Sequence, residues 1–507
     1  MVVLLLRRLK PLTSGKLKGM RQLLLRRIQS PKRWVALLLL AVCCGSHLSA
    51  TAQRRVFAHY MLANQDYEPD DPTGERNIAS YEREIRQAQL IGVDGFALNA
   101  GGWFKEPRYI KRASEMFEAA YRLKSNFKLM FSADMCCSNS AEDVEDMMRR
   151  FANNQRYTGI YFKHNGKFVL TTFAGSSLGP EFWQQLRTDL EHGSHPSQRD
   201  APGALSYASG TPSSAPIPIE LIPSFFWGGE LPHVNNVQDG LANYAKIIDG
   251  AFYWGIAGVP GLGHPPDQLP SSEAYASVLH NARKIYMAPI CFQFWGANAG
   301  RYYEYSGYSG MRSMWMDAIQ ISHPDWVEII TWNDFIEATY VSPIDDPARY
   351  PQANDLGASA APPSTRDYFH SHRGATDLLQ FFIEWYKTGH QPTIHKDSVF
   401  WAYRTQLTTQ QLNASSIKLY GPVADVVYLT ANLTAPAVIR VSFGGISKSI
   451  ALPAGSTDIQ VPMLAGSSPR FELTRGTSKL VEASGDDPIA ANAPYPNYYY
   501  STGSMRY

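Results

Sequence analysis

Eight short apolar runs alternate with amphipathic segments from about residue 55, and shorter runs separated by turn residues follow. The first pattern predicts an α/β fold, a (β/α)8 TIM barrel. The second predicts a C-terminal antiparallel β-sandwich-like domain. We therefore expect residues 1–52 to precede the fold, residues 53–390 to form the barrel and residues 391–507 to form the sandwich.

The eight apolar runs are mostly non-alternating, as strands are when both faces of a parallel sheet are covered. A doubly wound sheet is the alternative, but it favours a Gly-rich phosphate-binding loop after its first strand. The sequence HYMLAN at residues 59–64 contains no glycine, so we favour the barrel. The runs are residues 56–62, 95–99, 127–132, 168–173, 220–226, 250–254, 284–292 and 326–332.

The segments between the runs carry apolar residues at helical spacing. In residues 80–91, Tyr81, Ile85 and Ala88 form one stripe, with Ser80 as the expected N-cap and Gly92 as the expected end. Two stretches rich in small residues or proline are predicted surface loops: 194–218, and 341–371 after the eighth strand. The other predicted helices are 107–124, 141–151, 181–191, 237–248, 272–284, 310–321 and 375–386.

The N-terminal segment predicts a secretory signal. Ten basic residues and no acidic residue occur in it, together with an apolar run at 34–44 and a small-residue end, Ala50-Thr51-Ala52. The apolar run is shorter than the roughly 20 residues that span a bilayer. Cleavage before Gln53 is therefore favoured over an uncleaved anchor, and we expect a secreted or cell-wall-associated monomer without stable membrane association.

Charge and cysteine usage narrow the function classes. From Gln53 onward the chain carries 37 basic and 45 acidic residues and no basic run, which argues against nucleic-acid binding. Three cysteines remain, Cys136, Cys137 and Cys291, so buried thiols or one bridge to Cys291 are both open. No Cys/His spacing resembles a metal site. Sequons at Asn413 and Asn432 are consistent with a secreted glycoprotein.

Polar residues near the predicted strand ends are the candidates for chemistry, because barrel active sites lie beyond the C-terminal ends of the strands. The densest cluster is WNDFIE at residues 332–337. Asp334 and Glu337 offer the two carboxyl groups that glycoside cleavage requires. Aromatic neighbours such as Trp332 and Tyr340 could raise the pKa of one of them by desolvation.

Simpler interpretations accompany each candidate. Acidic residues three apart are most often solvated surface, and Asp94 before a strand is more often a turn residue. Asp134 could cap a helix, and Trp254 and Trp295 are more often core residues than sugar platforms. His59, on an apolar strand, would usually be a hydrogen-bonded core histidine.

Several segments resemble one enzyme family. VFAHYMLAN, GVDGFALNAG, FSADM, IPSFFWGG, DGAFYWG, YMAPICFQFW and PDWVEIITWNDFIEATYVSPI occur in the order found in family 71 glycoside hydrolases, the fungal endo-α-1,3-glucanases or mutanases. SHRGATDLLQFFIEWYKTG, FWAYRT and YPNYYYSTGS continue the resemblance, which covers roughly residues 55–505.

The resemblance implies a (β/α)8 barrel with a β-sandwich, and inverting hydrolysis of α-1,3-glucan without a cofactor. The catalytic Asp and Glu of the family fall on Asp334 and Glu337, and a further family aspartate falls on Asp94. This sequence has Ile336-Glu337-Ala338 where the family usually has Gly-Glu-Ser, which adds bulk beside the acid. We expect sugar contacts from the other candidates: His59, Asn99, Asp134, Asp249, Trp254, Trp295, Trp332, Asn333 and Tyr340.

The expected mechanism uses Glu337 as the general acid and Asp334 as the base that activates water, with Asp94 orienting the water or a sugar hydroxyl. An inverting pair is separated by roughly 6.5–9.5 Å. The expected partner is an α-glucan polysaccharide. Two alternatives remain open from the sequence: a hydrolase of another α-linked glycan (endo-α-mannanase-like), and a non-catalytic glucan-binding wall protein.

Overall fold

The computed structural model describes most of the chain from residue 54 onward. Residues Arg54–Tyr507 form one compact unit. The predicted secretory signal, Cys137, Asn413 and most of the two predicted surface loops lie outside the described residues. The described ranges are 54–63, 73–106, 108–136, 139–193, 214–227, 231–254, 265–296, 300–344, 370–410, 417–492 and 496–507.

In the described part of the chain, eight parallel strands form the central sheet, and each predicted apolar run overlaps one of them. Three further strands, β4, β9 and β10, are short additions outside this parallel series. The strands are β1 (Arg55–Met61), β2 (Gly95–Ala100), β3 (Lys128–Asp134), β4 (Lys163–His164), β5 (Lys167–Phe173), β6 (Ile219–Ser224), β7 (Gly250–Phe252), β8 (Ile285–Cys291), β9 (Phe294–Gly296), β10 (Arg301–Tyr303) and β11 (Trp326–Ile330).

The sheet curls until its two ends are neighbours. Its strands follow the order β6-β5-β3-β2-β1-β11-β8-β7, and all seven pairings are parallel. The two end strands, β6 and β7, are joined by a hydrogen bond: the backbone N–H of Asp249, just before β7, donates to the carbonyl of Leu221 on β6 at 2.9 Å. Parallel strands place all their C-terminal ends on one rim, where side chains from distant sequence positions meet.

Eight α-helices within the described ranges connect and cover the strands, and each predicted helical segment overlaps one of them. The helices are α1 (Glu75–Leu90), α2 (Arg108–Leu123), α3 (Ala141–Phe151), α4 (Gly179–His192), α5 (Val234–Tyr244), α6 (Pro265–Asn281), α7 (Tyr308–Gln320) and α8 (Arg373–Thr388). Among the described residues, none of the helices combines the length and apolarity needed to cross a membrane.

The prediction that Ser80 is the N-cap of the first helix was wrong. Helix α1 begins at Glu75, after Gly74 in the left-handed region with a φ of 74°. The turn before Ser80 is already packed, because Asn77 and Ile78 are buried. Ser80 instead accepts a hydrogen bond from Arg83 at 3.1 Å within the helix.

One aspartate arrangement recurs three times at the N-terminal rim of the sheet. In each case an aspartate directly precedes a strand and bonds twice to one residue near the start of the neighbouring strand. Its backbone N–H donates to the carbonyl of that residue, and its carboxylate accepts from the N–H, at 2.7–3.0 Å. Each aspartate thereby satisfies both backbone groups of a strand end and fixes the register. The pairs are Asp94 with Val56, Asp249 with Leu221, and Asp325 with Tyr286.

The C-terminal part contains two four-stranded antiparallel sheets, in the orders β17-β14-β12-β20 and β16-β15-β18-β19. Apolar side chains from both sheets form one core, in which Trp401 stacks on Phe471 with ring centroids 4.6 Å apart. The strands are β12 (Ser398–Arg404), β13 (Lys418–Tyr420), β14 (Val426–Leu433), β15 (Ala437–Phe443), β16 (Ile446–Leu452), β17 (Gly455–Pro462), β18 (Arg470–Arg475), β19 (Ser478–Ser484) and β20 (Tyr500–Arg506).

Burial revises two expectations about covalent chemistry. Asn432 lies in β14 with its side chain buried, so a glycan at this sequon would have no path to solvent in the folded protein. Cys136 is an exposed free thiol and Cys291 is a buried free thiol, so neither forms a bridge. Burial raises the pKa of Cys291 to about 12, which keeps it protonated at neutral pH.

A buried ion pair joins the C-terminal sheets to the segment after β10. Glu304 and Arg404 meet at 2.9 Å, and both side chains are fully buried. The Tyr500 hydroxyl donates to Glu304 at 2.7 Å, and the backbone N–H of Ser306 donates at 2.6 Å. Arg404 also donates to the carbonyl of Ala424. Both charged groups therefore have further hydrogen-bond partners, and removal of one group leaves the other charge buried.

We expect Arg404→Met to lower the free energy of unfolding by about 3–5 kcal/mol, because Glu304 loses its counter-charge inside the protein. The matched control is Arg440→Met, which removes an exposed ion pair with Glu472 at 3.5 Å and should cost less than about 1 kcal/mol. Urea unfolding of both variants against the wild type measures the difference. Equal losses would contradict a special role for the buried pair.

Candidate active site

The two carboxyl groups of the WNDFIE segment lie on one tight loop after β11. The chain leaves β11 through a cis peptide bond between Ile330 and Thr331. The loop is closed at its base, where the N–H of Thr331 donates to the carbonyl of Thr339 at 3.0 Å. Asp334 donates its N–H to the Thr331 hydroxyl at 2.8 Å and accepts from the N–H of Glu337 at 3.1 Å. This bonding places both carboxyl groups in one small region at the C-terminal rim.

Asn333 anchors this loop to β1. Its side-chain oxygen accepts from the N–H of Met61 at 2.7 Å, and its side-chain nitrogen donates to the carbonyl of Met61 at 3.0 Å. The N–H of Trp332 donates to the carbonyl of His59 at 2.7 Å. The side-chain amide of Asn333 therefore continues the β1–β11 pairing beyond the end of β11. Because both its polar atoms bind the Met61 backbone, we do not assign this amide to sugar binding.

Three predicted sugar-binding aromatic residues are instead core residues that support the loop. Trp332 is fully buried and contacts Phe96, with ring centroids 5.3 Å apart, on the helix-facing side of β2. Trp295 is 1% exposed, and its backbone N–H donates to the carbonyl of Glu337 at 2.8 Å. Tyr340 is fully buried and stacks on His372 at 3.8 Å. A flat surface for a sugar ring must be accessible, which none of the three is.

Two residues just before β20, Tyr498 and Tyr499, form a C-terminal strap that also packs against this loop. Tyr498 packs against Trp295, with ring centroids 5.0 Å apart. The Tyr499 hydroxyl donates to the carbonyl of Phe335, directly after Asp334. The segment just before β20 therefore helps to fix the position of the carboxyl pair.

Burial and mutual repulsion raise the pKa values of both carboxyl groups. Burial, and after it the charge of Asp334, raises the pKa of Glu337 to about 8, while the Arg301 guanidinium opposes this rise. Burial also raises the pKa of Asp334. The N–H of Glu337 and the charge of His59 oppose the rise at Asp334. A pKa of about 8 leaves Glu337 mostly protonated at neutral pH, so Glu337 is the member of the pair that holds a proton.

The interior of the sheet below Asp334 contains His59 and Trp254. These two rings pack edge to face, with centroids 4.7 Å apart, and Phe173 packs on the other side of Trp254 at 4.8 Å. Trp254 is 9% exposed, whereas His59 is fully buried. Of the predicted aromatic platforms, Trp254 is thus the one at the cleft with some accessible surface.

Asn99 and Asp134 lie on the same rim as Asp334. Asn99 is level with Met61 in the β1–β2 register, so its side chain points to the sheet interior. Asp134 ends β3, where its carboxylate accepts from the N–H of Cys136 at 3.0 Å. Their contacts with a sugar stay a prediction.

The structure does not bring Asp94 or Asp249 to the carboxyl pair. Both precede their strands and lie at the N-terminal rim, where Asp94 contacts Lys387 at 2.7 Å and Asp249 contacts Arg187 at 2.8 Å. The six residues of β2 separate the two rims by roughly 20 Å. A catalytic role for Asp94 and a sugar-binding role for Asp249 are therefore corrected: both carboxylates fix strand register.

Two charged residues near the pair were missed by sequence reasoning. Glu328 is fully buried in the middle of β11. The one feature of the sequence that could have identified it is its position as a charged residue inside an apolar run. Arg301, on β10, carried no signal, because its approach to Glu337 depends on a short strand outside the eight-unit pattern. Among the described residues, no group of three or more His, Cys, Asp or Glu side chains is arranged to hold a metal ion.

Comparison with known proteins agrees with a carbohydrate-cleaving site. The sequence pattern of glycosyl hydrolase family 71 matches residues 52–506. The chain belongs to this family. A relative named glucan endo-1,3-alpha-glucosidase agn1, from Schizosaccharomyces pombe, is 25% identical and covers 90% of this chain and 95% of its own length. A mutanase from Penicillium rubens, Pc12g07500, is 24% identical and covers 92% and 93%.

A solved structure with a similar arrangement is the GH99 endo-alpha-mannosidase from Bacteroides thetaiotaomicron. It aligns with a TM-score of 0.45 and 10% sequence identity, over 66% of this chain and 98% of that chain.

We expect Asp94→Asn to leave the turnover of this family 71 glycoside hydrolase near that of the wild type and to lower its stability. The amide cannot pair with Lys387, and loss of a charged hydrogen bond costs about 1.5–3 kcal/mol. Asp325→Asn removes the equivalent carboxylate from another strand pair and is the matched control. Steady-state rates and urea midpoints of both variants measure the effect. Loss of turnover in folded Asp94→Asn alone would restore the catalytic assignment.

Proposed function

We propose that this protein hydrolyses α-1,3-glucosidic bonds in fungal cell-wall α-glucan, as an inverting, endo-acting enzyme. The buried carboxyl pair of Asp334 and Glu337 carries the proposal. Membership of glycosyl hydrolase family 71 supports the reaction class, and the name of the relative agn1, glucan endo-1,3-alpha-glucosidase, supports the bond type. A third relative, from Schizosaccharomyces pombe, is named ascus wall endo-1,3-alpha-glucanase, is 23% identical and covers 91% of this chain, which supports a wall polysaccharide as substrate.

In the proposed reaction, Glu337 is the general acid. It gives its proton to the glycosidic oxygen as the bond from that oxygen to C1 breaks. Asp334 accepts a proton from a water molecule as the oxygen of that water bonds to C1 from the opposite face. The raised pKa of Glu337 supports this assignment, because the acid must hold its proton at neutral pH while the base must not.

The proposed architecture is a closed (β/α)8 barrel in residues 53–390 followed by a β-sandwich in residues 391–507. The parallel order of the eight strands and the hydrogen bond between Asp249 and Leu221 support closure. The basic, apolar and small-residue pattern of the first 52 residues supports secretion. We propose that the mature protein acts outside the cell as a monomer on the polysaccharide.

We expect Asp334→Asn and Glu337→Gln each to lower kcat by about 10²–10⁴-fold, because each removes a proton-transfer group. The measurement is reducing-sugar release from insoluble α-1,3-glucan, with circular dichroism as the check on folding. Glu472→Gln, which removes the carboxylate of an exposed ion pair on the C-terminal sheet, is the matched control and should leave kcat unchanged. Polarimetry or NMR of the first product shows whether the anomeric configuration inverts.

Three results would contradict the proposed function. Near-wild-type turnover in either folded carboxyl variant would remove that residue from the mechanism. Retention of the anomeric configuration would exclude inversion. Release of sugar from α-mannan alone, or binding to glucan without release, would assign another activity.

The pH profile should follow the two carboxyl groups. Activity falls as the pH rises through the pKa of Glu337, because the acid loses its proton, and it falls at low pH as Asp334 gains one. Since Arg301 holds the pKa of Glu337 down, Arg301→Gln should move the basic limb of kcat/KM to higher pH. Arg440→Gln, on the C-terminal sheet, should leave the limb in place. A limb that moves to lower pH in Arg301→Gln would refute this electrostatic coupling.

A further inference from the structure

A buried histidine–glutamate pair lies in the sheet interior beneath the carboxyl loop. His59 Nδ1 donates to Glu328 Oε1 at 2.7 Å, and both side chains are 0% exposed. The other polar atoms of this pair, His59 Nε2 and Glu328 Oε2, have no hydrogen-bond partner among the described residues. A polar pair buried at this depth with two unpaired polar atoms costs stability, which suggests that the pair has a functional role.

The strand register places His59 between Glu328 and the active-site rim. Glu328 is level with Phe57 in the β1–β11 pairing, so His59 lies two residues nearer to the C-terminal end of the sheet. Two strand residues correspond to roughly 7 Å along the sheet. The imidazole therefore faces the Asp334 side of the interior, and the glutamate lies behind it.

Two contacts fix the imidazole in this position. Glu328 holds one ring nitrogen, and Trp254 packs on the ring at an interplanar angle of 78°. The carbonyl of His59 accepts the N–H of Trp332, which ties the same residue to the loop that carries Asp334. His59 is thus linked to this loop through its backbone and to Glu328 through its side chain.

We propose that His59, held by Glu328, is a positioning residue that presents a positive charge to Asp334 and keeps this carboxyl group ionised as the base. The inference rests on the proposed function of the carboxyl pair. A carboxylate at hydrogen-bonding distance stabilises an imidazolium, and an imidazolium in a low-dielectric interior stabilises a second carboxylate nearby. In agreement, the charge of His59 opposes the burial-driven rise in the pKa of Asp334.

The charged and titratable groups around the carboxyl pair come from several elements. They are His59 on β1, Asp134 at the end of β3, Cys291 on β8, Arg301 on β10, Glu328 on β11 and Glu337 on the loop itself. Arg301 acts on Glu337 and His59 acts on Asp334, whereas Cys291 stays protonated, because burial and the charge of Glu337 raise its pKa. Loss of the His59 charge is therefore expected to change the acidic limb of the pH profile and to leave the basic limb in place.

The test is the pH dependence of kcat/KM for His59→Gln on α-1,3-glucan. We expect the acidic limb to move upward by about one pH unit, which corresponds to about a tenfold loss of kcat/KM at the acidic end. Glu328→Gln keeps the size of the side chain but removes its charge. It is expected to move the limb in the same direction, because the imidazolium loses its counter-charge.

A second histidine–glutamate pair provides the matched control. His164 Nδ1 lies 2.7 Å from Glu220 Oε2, and its ring packs edge to face on Trp326. This pair lies at the N-terminal rim, away from Asp334. His164→Gln should therefore leave both limbs of the pH profile in place, although it removes the same kind of hydrogen bond.

A readout without substrate separates this inference from the proposed function. The ¹³C carboxyl signal of Asp334, assigned by its loss in Asp334→Asn, should titrate at higher pH in His59→Gln than in the wild type. An active wild type whose acidic limb and Asp334 titration stay unchanged in folded His59→Gln and Glu328→Gln would overturn the inference alone. A wild type that releases no sugar but shows the titration shift would overturn the proposed function alone.

Discussion

The burial of two acidic side chains on one short loop is the constraint on which the active site depends. Two carboxyl groups this close repel each other, and burial removes the water that would stabilise their charges. The loop therefore has to be fixed by bonds that do not use the carboxyl groups themselves. Asn333 supplies this fixation by binding both backbone groups of Met61, and the Thr331–Thr339 contact closes the base of the loop.

The rest of the molecule supports this loop from two directions. On the sheet side, β1 provides the backbone that Asn333 binds, and its register is set at the opposite rim by Asp94. On the other side, Trp295 and the Tyr498–Tyr499 strap close behind Glu337 and Phe335. The buried Glu304–Arg404 pair then joins the C-terminal sheets to the segment after β10. The C-terminal sheets thus help to fix the position of the carboxyl pair.

Several features near the site have a cost in stability. Ala338, directly after Glu337, has a φ of 55°, a left-handed conformation that costs a non-glycine residue about 1–2 kcal/mol. His59 and Glu328 each bury an unpaired polar atom in the described interior. Strain and buried charge of this kind are concentrated where a reaction needs fixed geometry and shifted pKa values, because solvated and relaxed side chains cannot supply either.

The amino-acid sequence determined the strands, the helices and the WNDFIE pair by itself, because apolar periodicity and local spacing depend only on neighbouring residues. The family resemblance then implied that Asp334 and Glu337 are the catalytic residues. Only the tertiary structure decided which partners the polar and aromatic side chains contact, because those partners are far away in the sequence. It showed that Asp94 and Asp249 fix strand register. It also showed that Trp295, Trp332 and Tyr340 are core residues. It also brought Glu328 and Arg301 to the site, because their contacts join strands far apart in the chain.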